Sequence, residues 1–150
     1  MAARVNDPYR NFRFKLELGN IQIAGFSECS GLQMETRLFE YKEGGNNRTT
    51  LKFPEHTTYG NITLKRGLTK SNDLIEWQLD VVNATFSKNP RPQTSRSITI
   101  VLLDDKGETA KRWVLRKAIP VKWVGPDLRG NGTEVAIETL EIAHEGIEIR

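Results

Sequence analysis

The sequence predicts a mainly β fold: an antiparallel β-barrel or sandwich with one packed α-helix. Apolar and polar residues alternate along most of the chain, as they do from Phe12 to Leu18, and this period of two is typical of strands with one buried face. Only residues 72–84 show the spacing of an amphipathic helix. A sheet with a single helix to cover it buries its apolar face in one barrel or sandwich.

Seven strands are predicted, separated by turn residues such as those of Asp104–Gly107. They cover residues 12–18, 21–26, 34–43, 61–66, 97–103, 109–117 and 134–145. In the last of them Val135 and Ile137 share one face, whereas Leu140 and Ile142 share the other. This change of parity predicts either a bulge or a strand that passes from one environment to another.

The predicted helix carries more apolar surface than one sheet can cover. Ser71 is the expected N-cap, and Asp73 and Glu76 lie in the first turn, where the helix dipole favours acids. The apolar side chains sweep an arc of roughly 200°, although a helix on one sheet needs only a little more than about 100°. This excess favours a second hydrophobic partner, and the alternative is that loops of the same chain cover it.

The connection Glu43–Gly60 is long for a compact domain, since loops beyond about 12–15 residues are uncommon without a function. The composition of its Gly-Gly-Asn-Asn tip (44–47) is typical of a flexible turn, and that of Thr49–Phe53 is typical of a short strand. A projecting hairpin arm over about residues 43–60 explains both features. A disordered surface loop is equally consistent with the composition.

The composition fits one domain over residues 1–150, with 37% hydrophobic and 27% charged residues. No apolar run approaches the ~20 residues that span a bilayer, and the first residues lack the apolar stretch of a secretory signal. We therefore expect no membrane anchor and no export signal. The single cysteine, Cys29, fits synthesis in a reducing cytoplasm. The net charge of +3 is scattered, which favours a mixed solvated surface.

The sequence predicts no catalytic, cofactor-binding or metal site. His56 and His144 lack neighbours at ligand spacing, and no nucleophile elbow, Walker loop or dinucleotide fingerprint occurs. Glu138 and Glu141 fit a solvated strand face better than a glycosidase pair. Cys29 has no cationic neighbour in sequence and is expected to be a partly buried filler.

Six motifs in a fixed order carry a resemblance to a known family. They are DPYRNFRFKLEL (7–18), AGFSECSGL (24–32), YKEGG (41–45), NITLKRGLT (61–69), RWVLRKAIPVKWVGPDL (112–128) and VAIETLEIAHEGIE (135–148). Together they resemble the tail tube protein family of contractile phages and of phage-tail-like contractile injection particles. The resemblance spans nearly the whole chain.

The resemblance implies a structural protein with the fold of the Hcp ring protein. Such subunits form homo-hexameric rings that stack into a hollow inner tube, which a contractile sheath drives through a target envelope. The implied partners are the sheath protein, baseplate or hub proteins, tail-terminator proteins and a cargo in the lumen, either DNA or a protein effector. Six copies with four strands each would close a barrel of about 24 strands with a bore of roughly 35–40 Å.

The resemblance also assigns roles to particular residues. The helix would contact an adjoining subunit, the arm would reach the neighbouring ring, and the strands at 34–43 and 134–145 would join across subunits. The expected inter-subunit or inter-ring residues are Leu74, Trp77, Val81, Glu43, Gly44, Gly45, Asn46, Asn47 and Arg48. The expected lumen-facing residues are Glu35, Arg37, Glu138 and Glu141.

Two alternatives stay open at this point. The first is a baseplate-proximal paralogue that initiates the tube. The second, from a different class, is a small β-barrel nucleic-acid-binding module, because Trp113 and Trp123 lie near several basic residues. Trp is also enriched in cores and interfaces, which is the interpretation we favour.

Overall fold

The computed structural model describes residues 13–18, 21–23, 25–42, 44–45, 49–85, 96–132 and 134–150. Over these residues the chain forms strands and one helix, which follow one another in sequence. They are β1 (Phe14–Leu18), β2 (Ile21–Ile23), β3 (Phe26–Ser30), β4 (Met34–Tyr41), β5 (Leu51–Tyr59), β6 (Ile62–Gly67), α1 (Asp73–Thr85), β7 (Arg96–Leu103), β8 (Thr109–Val124), β9 (Ile137–Ala143) and β10 (Gly146–Ile149). The prediction of a mainly β fold with one helix is confirmed.

All strand pairs are antiparallel, and the long strand β8 connects the two halves of the main sheet. Its residues 109–118 pair with β7, and residues 119–124 pair with β9. The strand order is β2-β1-β7-β8-β9-β6-β3, with β10 also beside β8. We name the second half, made of β3, β6, β9 and residues 119–124 of β8, the four-stranded face.

The core lies between the two halves of the sheet and the helix. Its members are aliphatic and aromatic side chains from β1, β3, β6, α1, β7, β8 and β9: Leu16, Leu18, Phe26, Ile62, Leu64, Leu74, Trp77, Ile98, Ile100, Leu115, Ala118, Leu140 and Ile142. Helix α1 packs against β8. Within the described ranges, no helix is long and apolar enough to cross a bilayer.

The helix begins at Asp73, one residue later than predicted, so Asn72 occupies the N-cap position in place of Ser71. The Ser71 side chain instead contributes to lowering the pKa of Asp73. The predicted turn at 104–107 is confirmed, because Asp104 Oδ1 accepts hydrogen bonds from the amides of Lys106 and Glu108, both at 2.9 Å.

The connection after β4 forms a hairpin arm, not a disordered loop, over the residues that the structure describes. Strands β4 and β5 pair only with each other, and nearly every residue of both is exposed. Strand β5 extends through Pro54 to Tyr59, well beyond the predicted Phe53. Gly44 and Gly45 are exposed at a turn. Four predicted contact residues lie outside the described residues: Glu43, Asn46, Asn47 and Arg48.

The predicted strand at 134–145 is shorter than expected: β9 covers Ile137–Ala143, and the separate strand β10 follows at Gly146–Ile149. The predicted change of parity is present: Leu140 and Ile142 are buried, whereas Ile137 and Val135 are 42% and 76% exposed. The pairing of β9 with β6 runs without interruption from Ile137 to Ile142, so β9 has no bulge against β6. The irregularity lies on the other side, between Pro120 and Lys122 of β8.

A buried arginine joins the helix to the four-stranded face. Arg66 on β6 has a side chain only 5% exposed. Its Nη2 donates to Asp73 Oδ1 at 2.6 Å and to Glu138 Oε1 at 2.7 Å, while Nη1 and Nε add bonds of 3.2 and 3.1 Å to the same two residues. Trp123 Nε1 donates to the other Glu138 oxygen at 3.2 Å. The network ties α1, β6, β8 and β9 together at one point.

The charges in this network compensate one another. Burial by itself would lower the pKa of Arg66, but the hydrogen bonds and charges of Asp73 and Glu138 hold that pKa above its ordinary value. Burial would likewise raise the pKa of Asp73, yet the hydrogen bonds and charge of Arg66, together with the amide of Leu74, hold it below 3.8.

The prediction that Glu138 faces the lumen is wrong. Its side chain is 2% exposed and accepts the bonds of Arg66 and Trp123 inside the fold. Glu138 and Glu141 are three positions apart on one strand, so alternation places them on opposite sides of the sheet.

We expect Arg66→Met to lower the free energy of unfolding by about 3–5 kcal/mol, because it leaves two carboxylates without their partner, one of them fully buried. Urea denaturation at pH 7 measures this change. Arg37→Met is the control, since Arg37 is exposed on the arm and makes a single 3.5 Å contact with Glu55. A loss below about 1 kcal/mol for Arg66→Met would contradict the assigned importance of the network.

We expect stability to fall as the pH drops below about 4. The pKa of Asp73 is depressed in the folded state, so the unfolded chain takes up the proton first, and the stabilisation present above the unfolded pKa is lost as the pH falls through the folded one. Asp73→Asn should remove that part of the pH dependence and cost about 1–3 kcal/mol at pH 7. Thermal unfolding between pH 2.5 and 7 tests this, with the exposed helix residue Asp80 changed to Asn as the control.

Candidate assembly surfaces

The four-stranded face ends in an unpaired edge on each side. Strand β3 pairs with β6 on one side, and within the described residues it has no partner on the other. Residues 119–124 of β8 pair with β9, whereas β7 pairs only with the preceding half of β8. Unpaired backbone N–H and C=O groups along a strand are a template for pairing with another chain. The face therefore offers complementary edges at its two sides.

Strand β9 is not one of these edges, although the predicted strand at 134–145 was expected to join across subunits. It pairs with β6 on one side and with β8 on the other, so its ladder groups are occupied inside the subunit. This expectation is wrong for residues 137–143. The sequence pattern identified a strand but held no information on which neighbours flank it.

Apart from its end at Val124 and Ile137, the solvent side of the four-stranded face is polar and balanced in charge. Lys65 on β6 lies 3.5 Å from Glu28 on β3, and Lys122 on β8 lies opposite Glu141 on β9. Asn61 Nδ2 donates to Glu141 Oε1 at 2.9 Å. The register places hydroxyl side chains between these charges: Ser30, Thr63 and Thr139. This side suits contact with water, and the expected lumen role of Glu141 is compatible with its position there.

The arm carries an apolar patch on one of its faces. Phe39 pairs with Phe53, and Tyr41 pairs with Leu51, so all four side chains share one side of the hairpin. They are 39–51% exposed. We name these four residues the apolar arm face. Large exposed apolar patches on a soluble protein mark interaction surfaces.

Glu35 and Arg37, which were expected to face the lumen, lie on β4 nearer the base of the arm. They share the arm side that carries Phe39 and Tyr41, and Arg37 Nε lies 3.5 Å from Glu55 Oε2 on the opposite strand. Glu141 lies on a different sheet. The structure therefore does not bring the predicted lumen residues together on one surface.

A second apolar patch lies at the opposite end of the four-stranded face. Gly67 pairs with Ile137 there, Leu68 N donates to Ala136 O at 2.8 Å, and Val124 ends β8 beside the same end of β9. The exposed side chains of this patch are Leu68, Val124, Val135 and Ile137, at 42–76% exposure. We name them the apolar end. The arm leaves from the other end, where Ser30 pairs with Thr63, so the base of the arm and the apolar end are about 13 Å apart along β6.

The base of the arm is fixed to the body by His144. Its Nε2 lies 3.0 Å from Gly60 O and its Nδ1 lies 3.3 Å from Gly146 O. The ring also lies against Tyr59, with centroids 5.5 Å apart. Gly60 N donates to Gln33 O at 3.4 Å, which holds the other strand of the arm. These contacts fix the point at which the arm leaves the face.

The helix residues expected to contact another subunit divide into two groups. Leu74 and Trp77 are 0% and 1% exposed and already belong to the core, so their predicted role as contact residues is wrong. Val81 is half-buried, and its inter-subunit role stays a prediction. The apolar side chains that α1 leaves exposed are Leu79 and Val82, at 46% and 41%. The excess apolar arc is therefore real, but it lies at different positions.

The tryptophans that supported a nucleic-acid-binding module are not exposed stacking platforms. Trp113 and Trp123 are partly buried and pack against the core, and Trp123 also hydrogen-bonds Glu138.

Cys29 is partly buried, and burial, with a smaller contribution from the charge of Glu28, raises its pKa to about 11. Among the residues that the structure describes, no group of three or more His, Cys, Asp or Glu side chains is arranged to hold a metal.

Comparison with solved structures finds the same fold in tubes of contractile particles. A chain of the anti-feeding prophage tube-terminating cap superposes with a TM-score of 0.81 at 26% identity, covering 100% of this chain and 95% of that one. A chain of the sheath–tube complex of the extracellular contractile injection system PVC, in its extended state, gives 0.81 at 24% identity, covering 97% and 93%. Hcp1 from Flavobacterium johnsoniae gives 0.55 at 18% identity, covering 92% and 94%.

The family comparison agrees with the fold. Comparison with curated proteins finds no significant match. The model of the T4-like virus tail tube protein gp19 family matches residues 10–148, which is nearly the whole chain. This chain therefore belongs to the T4-like virus tail tube protein gp19 family.

Proposed function

We propose that the protein is a structural subunit of the inner tube of a contractile injection particle, with no catalytic role. The observation that carries the proposal is the pair of unpaired edges at the two sides of the four-stranded face. Pairing of β3 in one copy with residues 119–124 of β8 in the next satisfies both edges and repeats around a ring. A closed barrel abolishes edges, which is the stable outcome for strands of this kind.

The polar side of the face supports its assignment as the lumen wall. Four strands per subunit in a hexamer give a barrel of about 24 strands, whose interior is wide enough to hold water. A wall in contact with water needs polar side chains, and this side supplies the charge-balanced set around Lys65 and Glu141. We propose this side, in place of Glu35 and Arg37 on the arm, as the surface that faces the cargo.

Stacking of rings follows from the positions of the two apolar patches. The arm leaves the end of the four-stranded face opposite the apolar end, so contact between the apolar arm face and the apolar end of successive copies is head-to-tail. Heterologous contacts that do not close on themselves generate open filaments. We propose that the arm of one ring docks on the apolar end of the next.

The comparisons support the proposed partners. The similar chains come from structures titled as a sheath–tube complex, a baseplate and a tube-terminating cap. We propose that this subunit, as a single domain synthesised in the cytoplasm, likewise assembles with a sheath protein, with baseplate proteins and with a terminator. The cargo that moves through the lumen is DNA or a protein effector.

Purified protein should form rings or tubes, and a charge at the β8 edge should prevent this. Val121 is 48% exposed on the unpaired edge, so Val121→Lys should leave the subunit folded but monomeric, because a charged side chain would be forced against the incoming strand. Negative-stain microscopy and light scattering measure assembly. Thr109→Lys, at an exposed position in the other half of β8, is the control and should assemble normally. A wild-type protein that stays monomeric at high concentration would contradict the proposal.

A change on the apolar arm face should separate ring formation from stacking. Phe53→Ser removes apolar area from the proposed inter-ring contact and leaves the edges of the four-stranded face intact. We expect single rings and at least a tenfold shorter mean tube length by microscopy. Lys52→Ser, the neighbouring position on the opposite face of the arm, is the control. Tubes of normal length from Phe53→Ser would contradict the proposed docking.

A further inference from the structure

An open cavity of about 440 Å³ lies outside the four-stranded face and outside the arm. Among the described residues, its lining comes from the start of β7, the bend of β8 and the connection between β9 and β10: Arg96, Ser97, Arg116, Lys117 and Glu145. The volume is within the range of ligand pockets, and three of the five lining side chains are cations. None of these residues takes part in the surfaces described above.

Three separate features of the fold hold the three cations at this cavity. The guanidinium of Arg96 lies over the ring of Trp77, with Cζ 5.8 Å from the centroid. The guanidinium of Arg116 lies against Gly146, where a Cβ would collide with it. Lys117 has a φ of +48°, which among the described residues makes it the one non-glycine in the left-handed region. Backbone strain of this kind clusters at functional sites.

The carboxylates that face these cations contact them only loosely. Asp80 lies 3.6 Å from Arg96, Glu148 lies 3.7 Å from Arg116, and Glu145 lies 3.6 Å from Lys117. Charge-assisted hydrogen bonds are about 2.7–2.9 Å long, and the two bonds of Arg66 Nη2 are as short, at 2.6 and 2.7 Å, so these three longer contacts leave donor capacity unused. All six side chains are 43–71% exposed, which makes the pairs easy to displace.

We propose that this cavity binds the carboxylate side chains of an acidic polypeptide segment. Two guanidinium forks match the planar geometry of carboxylates, and Lys117 and the Ser97 hydroxyl add further donors. Glu145 lines the same cavity, and its negative charge disfavours a dianionic phosphate more than a singly charged carboxylate. The ligand class is therefore an acidic stretch of a neighbouring protein.

Fluorescence anisotropy with a labelled hexaglutamate peptide at about 20 mM salt tests the proposal on the intact protein. Binding can be measured with monomers or with tubes, so its failure is distinguishable from failure of the proposed function. We expect saturable binding that weakens at least tenfold in the Arg96→Gln/Arg116→Gln double variant and weakens with added salt. Arg37→Gln, at an exposed arginine on the arm, is the control and should change affinity less than twofold.

Lys117→Gly provides a second test that does not require the double variant to fold. Glycine adopts a φ of +48° without strain, so the thermal midpoint should stay unchanged or rise while peptide affinity falls at least threefold. Absence of binding, or equal binding by wild type and the double variant, would overturn the proposal. Stronger competition by inorganic phosphate than by acetate at equal concentration would overturn the assignment to carboxylates.

Discussion

The arrangement of this subunit depends on one buried charge, the guanidinium of Arg66 between Asp73 and Glu138. The three residues come from β6, α1 and β9, and Trp123 of β8 adds a fourth element. Removing a single partner leaves an uncompensated charge in or beside the core, so the helix and the four-stranded face have one favourable arrangement. Because the network occupies the inner side of this face, the opposite side carries polar residues and is exposed to water.

Because the four-stranded face is held in place from the core side, its two edge strands stay accessible to another copy. The helix and the network hold β6, β9 and the second half of β8 from the core side, while β3 and residues 119–124 keep unpaired backbone groups. A single copy thus has the sheet of a barrel without its closure. In the proposed ring, repetition of the same edge-to-edge contact would supply the closure, and the departure of the arm from the end opposite the apolar end would set the stacking direction.

The sequence predicted the class of fold, the helix within one residue, the turn at 104–107 and the projecting arm, because each depends on local period or composition. The sequence-based prediction failed for residues whose role depends on which other parts of the chain pack against them. Leu74 and Trp77 look like contact residues only when the neighbouring sheet is unknown, and Glu138 looks solvated only when Arg66 is not placed opposite it. One signal was present: Arg66 shares the parity of buried Ile62 and Leu64, which predicts a buried partner for its charge.

The stability of the arm is itself linked to assembly. An isolated two-stranded hairpin is marginally stable in water, and this one exposes aromatic residues on a sheet that packs on no other strand of the described chain. Within the described part of the chain, the arm is attached to the body at its base, where His144 and Tyr59 meet. In the proposed tube, burial of the apolar arm face against another copy would stabilise the hairpin as well as the contact, so ordering of the arm and stacking of the rings would be coupled.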